Sequence, residues 1–172
     1  MRNVYNEKLT PARQTKLSAG YDIAVPESYI IQPRTTVLID TGIVFEDGDS
    51  IMAVTVTNGE PELYSLKSFF AMIMPRSSLG FAFGLRFNNT VPIIDSDYRD
   101  TIKLECQVDK TLKLEKGDRI AQLIFLPFYT LVGEKVPVKE RTGGIGSTGR
   151  QTTLDKIEES LNDRITFLWM VN

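Results

Sequence analysis

Short runs of β-branched and aromatic residues, each cut off after a few positions by glycine, proline or aspartate, narrow the folds open to this chain. Tyr29-Ile30-Ile31-Gln32 and Thr36-Val37-Leu38-Ile39 stand on either side of Pro33-Arg34. Ile51 to Thr57 alternates apolar with smaller or polar residues before the expected Asn58-Gly59 turn. Phe69 to Met74, Ile102 to Val108 and Ile120 to Phe128 repeat the pattern, and Glu115-Lys116-Gly117-Asp118 separates Leu112-Lys113-Leu114 from Arg119-Ile120-Ala121 as an expected hairpin. Many short strands with this punctuation predict an all-β barrel or sandwich.

The end of the chain differs. Thr152-Thr153-Leu154-Asp155 has a capping hydroxyl and an acid in the first turn, and Leu154, Ile157, Leu161 and Ile165 recur at helical spacing. Phe167, Leu168, Trp169 and Met170 follow. The expected organisation is a β domain over residues 1–150, including a glycine-rich arm from about residue 139, with a helix and apolar anchor over residues 151–172.

Composition removes several function classes. With 172 residues and 42% apolar content, the chain can bury a core. Its net charge is only -2, with lysine and arginine scattered. A nucleic-acid groove needs concentrated cations, so none is expected. No apolar run is long enough to span a bilayer, and no signal-peptide core is evident, so no membrane partner is expected either. One cysteine, Cys106, excludes an internal disulfide, and with no histidine a structural zinc site is not expected. The expected setting is the reducing cytoplasm.

The lack of histidine also limits mechanism. No Ser-His-Asp or Cys-His arrangement can form, so a general base must be a carboxylate, lysine or tyrosine. A carboxylate, with an ordinary pKa near about 4, is ionised at neutral pH and suited to aligning a water.

Three segments offer chemistry. Val91-Pro92-Ile93-Ile94-Asp95-Ser96-Asp97-Tyr98-Arg99 places a carboxylate behind an apolar run with an aromatic ring three residues on. Pro75-Arg76-Ser77-Ser78-Leu79-Gly80 sets an arginine fork beside two hydroxyls, which match phosphate oxygens. Gly143, Gly144, Gly146 and Gly149, with Arg141, Ser147 and Thr148, form a loop able to bring backbone N–H groups close to an anion. No Gly-Lys-Ser/Thr ends that loop, so it is not a Walker loop. Each segment also has an ordinary structural use: a capped turn at Arg76, turn hydrogen bonds at Asp95 and Asp97, a flexible linker at the glycines. Glu46-Asp47-Gly48-Asp49 lacks the ligand rhythm of a calcium loop and reads as a solvated turn. Phe69, Phe70, Phe81, Phe83 and Phe87 read as core, because nothing basic is interleaved with them.

Taken together, the segments resemble the trimeric dUTPase family, through five motifs in order between about residue 18 and residue 151. Ser18-Ala19-Gly20-Tyr21-Asp22-Ile23 is similar to the first motif, Pro75 to Gly80 to the second and Ile93 to Arg99 to the third. Gly117-Asp118-Arg119-Ile120-Ala121-Gln122-Leu123 is similar to the fourth and Gly143 to Gly149 to the fifth, the family's C-terminal arm. The resemblance implies a jelly-roll-like β fold, a homotrimer with shared active sites, and hydrolysis of dUTP to dUMP and pyrophosphate with magnesium held by phosphates and water. It implies that Asp95 orients the attacking water. It gives phosphate binding to Arg76, Ser77, Ser78, Gln122, Arg141, Ser147 and Thr148. Nucleoside binding falls to Asn89, Ile94, Tyr98 and Ile145, with Asp22 supporting the site from behind. Pro92 and Asp100 stand where the family usually has glycines, Ile145 where it usually has phenylalanine. The segment from about Glu46 to Ser68 is longer than usual.

Two other readings stay open. The related dCTP deaminases use a glutamate on the strand after the third motif, where Glu105 falls; its bland alternative is a surface position on an edge strand. A regulatory protein-binding module on the same scaffold would use the long insert and the Trp169-containing tail.

Overall fold

The computed structural model describes residues 1–57, 60–135 and 141. Chain contacts divide it into two compact units, Met1–Val136 and Pro137–Asn172, and every described residue except Arg141 belongs to the first. The expected division at residue 150 and the helix expected over residues 151–172 lie outside the described residues.

The strands are β1 (Arg2–Asn3), β2 (Tyr21–Ala24), β3 (Tyr29–Ile31), β4 (Val37–Asp40), β5 (Ile43–Val44), β6 (Ile51–Thr57) and β7 (Glu60–Leu66). They continue as β8 (Phe69–Pro75), β9 (Arg86–Phe87), β10 (Ile93–Asp95), β11 (Lys103–Gln107), β12 (Leu112–Leu114) and β13 (Arg119–Pro127). Among the described residues helix is confined to α1 (Ser77–Phe83) and a 3-10 turn at Glu7–Leu9. A four-stranded sheet runs in the order β10-β8-β13-β2 and a three-stranded one in the order β4-β11-β9. The pairs β1-β5, β12-β3 and β6-β7 complete the set, and every ladder is antiparallel. This is the expected jelly-roll-like β fold.

Period-two patterning builds the core. Phe69, Ala71 and Ile73 of β8, Leu104 and Cys106 of β11, and Leu112 and Leu114 of β12 all turn inward. They meet Ile23, Ile31, Ile39, Ile102 and Leu123, all closed to solvent. Phe45, Phe69 and Phe125 pack with ring centroids 5.5–5.8 Å apart. On β13 the pairing with β2 shifts register between Arg119 and Ala121. That bulge lets consecutive Ile120 and Ala121 both face inward, which strict alternation forbids. Cys106 is buried; burial first, then the charge of Glu105, pushes its thiol up to about 12, so it stays protonated.

Two sequence expectations change. The Glu115–Asp118 turn exists, closed by Asp118 N–H on the Glu115 carbonyl at 2.9 Å, with Gly117 at φ 92°. Its flanking strands, however, part company: β12 pairs with β3, and β13 with β8 and β2. A jelly-roll-like chain turns corners between sheets, so a turn need not close a hairpin. Phe81 is 92% exposed rather than core, because it lies on the outer side of the two-turn helix α1, while Phe69 and Phe87 are buried. The alternation at Ile51–Thr57 does form a strand, β6, which pairs with β7 from Ile51↔Leu66 to Thr57↔Glu60.

Helix α1 stops at Gly84, which takes the left-handed conformation at φ 68° and donates its N–H to the carbonyls of Gly80 and Leu79. A Cβ at residue 84 would also collide with the carboxylate of Asp109, which pairs with Arg86 at 2.7 Å. Gly84→Ala is therefore expected to cost about 1–3 kcal/mol. The check is the denaturant midpoint at fixed protein concentration, with an unchanged midpoint contradicting the argument.

Candidate active site

Register in the four-stranded sheet decides which residues can act together. Directly opposed residues of an antiparallel pair share a face. Asp95 and Ile93 of β10 oppose Phe70 and Met72 of β8; Gln122, Ile124 and Leu126 of β13 oppose Met74, Met72 and Phe70; Asp22 of β2 opposes Gln122. All of these lie on the face turned away from Ile73, Leu123 and Ile23. Asp95, Gln122 and Asp22 thus share one face, bedded in an apolar row of Phe70, Met72, Met74, Ile93, Ile124 and Leu126. Ile94, opposite Ala71, packs half-buried against the core, away from Asp95.

Asp22 organises one end of this face. It is held in place by β2 and by its own N–H bonded to the Ala12 carbonyl at 3.0 Å. Its side chain is only 12% exposed and meets two guanidiniums: Arg119 donates to Oδ2 at 2.9 Å, and Arg76 Nε stands 3.5 Å from Oδ1. One carboxylate facing two arginines leaves this corner with net positive charge. Arg76 sits where β8 ends and α1 begins, tied by its N–H to the Ile120 carbonyl at 3.0 Å. Ser77 and Ser78 follow in the first turn of α1, both exposed. Gln122 folds over Gly20 so closely that a Cβ there would stand 2.5 Å from Oε1 and 3.0 Å from the Gln122 Cβ. Gly20 is therefore the floor on which the Gln122 amide rests.

Asp95 lies toward the other end of β8, four residues from the Met74 rung, a separation of roughly 13 Å at strand rise. It opens a turn in which Tyr98 N–H bonds the Asp95 carbonyl at 3.0 Å. Tyr98 is buried, 6% exposed, and its hydroxyl donates to the Thr101 carbonyl at 3.3 Å. Asp95 and Asp97 are exposed. Arg99 closes the turn, donating through NH1 to the carbonyls of Ser96 at 2.7 Å and Tyr98 at 3.3 Å.

Asn89 occupies the tight connection from β9 to β10, exposed at its tip. Thr90 takes φ 66° there, its N–H bonded to the Phe87 carbonyl at 3.0 Å. Asn88 N–H donates to the Glu105 carbonyl at 3.0 Å, fixing this turn against β11. Pro92, which has no N–H to offer a ligand, gives its carbonyl to Ile73 N–H at 3.0 Å. Glu105 is on β11, the centre of its three-stranded sheet rather than an edge, and alternation turns it away from buried Leu104 and Cys106.

The structure thus brings Asp22, Arg76 and Gln122 together, with Ser77 and Ser78 beside them in the chain, and places Asp95 and Tyr98 on a separate turn. Arg141 is half-buried and belongs to the second unit. Ile145, Ser147 and Thr148 lie outside the described residues. Reading the chain alone missed Arg119 as the closest partner of Asp22, although it stands in the quoted fourth segment, and missed the contact of Gly20 with Gln122. Among the described residues no three His, Cys, Asp or Glu side chains gather to hold a metal ion, and no helix is long and apolar enough to cross a membrane.

Comparison with known proteins agrees with this geometry. The dUTPase family matches residues 63–149. The deoxyuridine 5'-triphosphate nucleotidohydrolase of Legionella pneumophila (strain Paris) is 34% identical over 148 residues, covering 81% of this chain and 86% of that protein. The protein of the same name from Actinobacillus pleuropneumoniae serotype 5b is 36% identical over 154 residues, covering 85% and 91%. The crystal structure of the dUTPase from Streptococcus mutans superposes with a TM-score of 0.54 at 27% identity, covering 74% of this chain and 92% of that one. A phage phi11 dUTPase of S. aureus, which coordinates a structural Mg(II) ion, shares the fold at 18% identity and a TM-score of 0.53, covering 74% and 88%. A shared fold, relatives aligned over more than four fifths of the chain and a family match across the second to fifth motifs lead to one conclusion: the chain belongs to the dUTPase family.

Proposed function

We propose that this protein is a dUTP diphosphatase that splits dUTP into dUMP and pyrophosphate, using Asp95 to orient and deprotonate the attacking water. The observation that carries the reading is one sheet face that bears both complementary halves of such a site, a carboxylate at one end and a cationic corner with an amide at the other. Water oxygen bonds to the α-phosphorus, the bond to the bridging oxygen breaks, pyrophosphate leaves, and the water proton passes to Asp95. Displacement at phosphorus depends on placement and charge neutralisation more than on a strong base, which suits a carboxylate.

Arg76, Ser77, Ser78 and Gln122 hold the phosphates, and Asp22 keeps Arg76 in place, with Arg119 on its other oxygen. Arg141, Ser147 and Thr148 add cover from the arm. Asn89 reads the base, Ile145 covers it and Tyr98 offers the sugar one edge of a ring locked into the core. Ile94 contributes through its main chain, since its side chain packs against the core. Magnesium fits this arrangement as an ion carried by the triphosphate. Both oxygens of Asp22 face guanidiniums, so phosphate oxygens and water would hold the ion. Bound there, it offsets charge on the departing pyrophosphate.

The reading also needs more than one copy of the chain. Asp95 and the Arg76–Gln122 corner stand roughly 13 Å apart along β8, too far to serve one α-phosphate in the same subunit. The apolar row between them, with Met74 at 39% and Ile93 at 53% exposure, calls for cover. A homotrimer that pairs Asp95 of one subunit with the cationic corner of the next meets both needs. A single buried thiol and a nucleotide substrate support a cytoplasmic setting.

Two measurements test the reading. Turnover should be measured against all dNTPs and UTP, following pyrophosphate and ammonia separately. dUTP should be preferred and pyrophosphate released; ammonia from dCTP would point to Glu105 and a deaminase instead. Asp95→Asn should lower kcat by about 10²–10⁴-fold with little change in dUTP affinity. Near-normal turnover in that variant would remove Asp95 from its role.

Gly20→Ala should push the Gln122 amide off its floor and lower kcat/KM for dUTP by about tenfold, the loss of one hydrogen bond to a charged group. The same change made in a Gln122→Ala background should cost almost nothing more. Additive losses would show that Gly20 acts through something other than Gln122.

A further inference from the structure

We infer that Arg99 and Asp47 act as a pair of positioning residues for the turn that carries Asp95 and Tyr98, and so set both attack and sugar selection. The inference rests on the diphosphatase reading above. Asp47 lies far from that turn in the chain, in the connection between β5 and β6 at the foot of the β6–β7 hairpin. It is presented on a closed turn of its own: Asp49 N–H bonds the Glu46 carbonyl at 3.1 Å, Glu46 N–H bonds Asp49 Oδ2 at 2.8 Å, and Gly48 takes φ 93°. Arg99 reaches this turn with two N–H groups on one oxygen, Nε to Asp47 Oδ1 at 3.0 Å and NH2 to the same atom at 2.9 Å. Its remaining arm, NH1, spans the carbonyls of Ser96 and Tyr98. A single planar group therefore ties two loops, and its plane is fixed by four contacts.

The geometry matters more than the charge. Asp47 is 95% exposed and Arg99 44%, so water screens most of their attraction. What Asp47 supplies is orientation. It keeps one edge of the guanidinium occupied, so that the opposite arm stays aimed at the two carbonyls. Released from Asp47, the fork has other carboxylates beside it in the chain, at Asp97 and Asp100, and Asp100 already faces Lys103 at 3.6 Å. A turn of Arg99 toward either would free the Ser96 and Tyr98 carbonyls and loosen the segment between Asp95 and Tyr98. A slack Asp95 slows attack, and a slack Tyr98, whose ring we set against the deoxyribose where it leaves no room for a 2′-hydroxyl, relaxes sugar selection.

The experiment compares Asp47→Ala, Asp47→Asn and Asp47→Glu with the parent protein in two ways. Kinetics with dUTP and UTP read the site; amide hydrogen exchange across Ser96–Asp100 without nucleotide reads the turn itself. Asp47→Ala is expected to lower kcat/KM for dUTP by about two- to fivefold, mainly through kcat, and to narrow the dUTP-to-UTP ratio, whereas Asp47→Asn keeps an oxygen that can accept both N–H groups and is expected to stay near the parent protein. Exchange across Ser96–Asp100 should quicken in Asp47→Ala with the melting temperature unchanged, Asp47→Asn should keep the parent's pattern, and Asp47→Glu, a methylene longer, should fall between the two. If the parent protein hydrolyses dUTP and Asp47→Ala keeps its rate, its ratio and its exchange pattern, the positioning role is overturned. If the parent protein fails to hydrolyse dUTP at all, the diphosphatase reading fails. Quickened exchange in Asp47→Ala would still uphold the tie between the loops, and unchanged exchange would remove it too.

Discussion

The pairing of β8 with β13 is the constraint from which the rest follows. Seven opposed residues, from Ala121↔Pro75 to Pro127↔Phe69, join these strands at the centre of the four-stranded sheet. Because side chains alternate, that one register assigns every neighbour a side. Phe69, Ala71, Ile73 and Leu123 are committed to the core, and Gln122 with its apolar companions to the opposite face. A slip of one residue would bury the Gln122 amide without a partner and expose Ile73 and Leu123. Burying such side chains is worth roughly 1.5–3 kcal/mol each, so the register is strongly held. Positioning of the site is in this sense a by-product of core formation.

On that platform the polar groups are arranged by shared partners rather than by isolated pairs. Asp22 serves Arg76 and Arg119 together, so both guanidiniums are oriented by one anchored carboxylate. Long side chains lose considerable rotamer freedom when they bind a ligand. An arginine already held on one edge has less to lose, which would favour the phosphate contact proposed for Arg76. The absence of a side chain at Gly20 serves the same end for Gln122.

How much of this could be read from residues alone varied with the kind of question. Strand positions were legible, because β-branched runs and turn residues report local conformation directly: Ile51–Thr57 matches β6, and Phe69–Met74 falls one residue short of β8. Partner choice was not. The turn at Glu115–Asp118 was foreseen but the hairpin was not formed, since a turn fixes the chain's direction and leaves the next neighbour to be set by sheet closure. Among site residues, Asp95 and Arg76 stood out because charge beside hydroxyls or apolar strands is unusual. Arg119 did not, because its meaning comes from Asp22, 97 positions away in the chain. Tyr98 stood out as an aromatic ring in a polar turn, and the burial of that ring is a packing outcome that no neighbouring residue announces.

The length of β8 carries a further consequence. In the proposed assembly each subunit contributes half of one site and half of another, so a solitary chain possesses all the parts and no working centre. Dilution then acts as an off switch: activity per subunit falls with a higher power of concentration once the assembly begins to dissociate. Mixed assemblies gain a property that monomeric enzymes lack. A subunit damaged at Asp95 and one damaged at Gln122 can together rebuild an intact centre where their sound halves meet. Genetic complementation between two inactive alleles would be written into the geometry of a single strand.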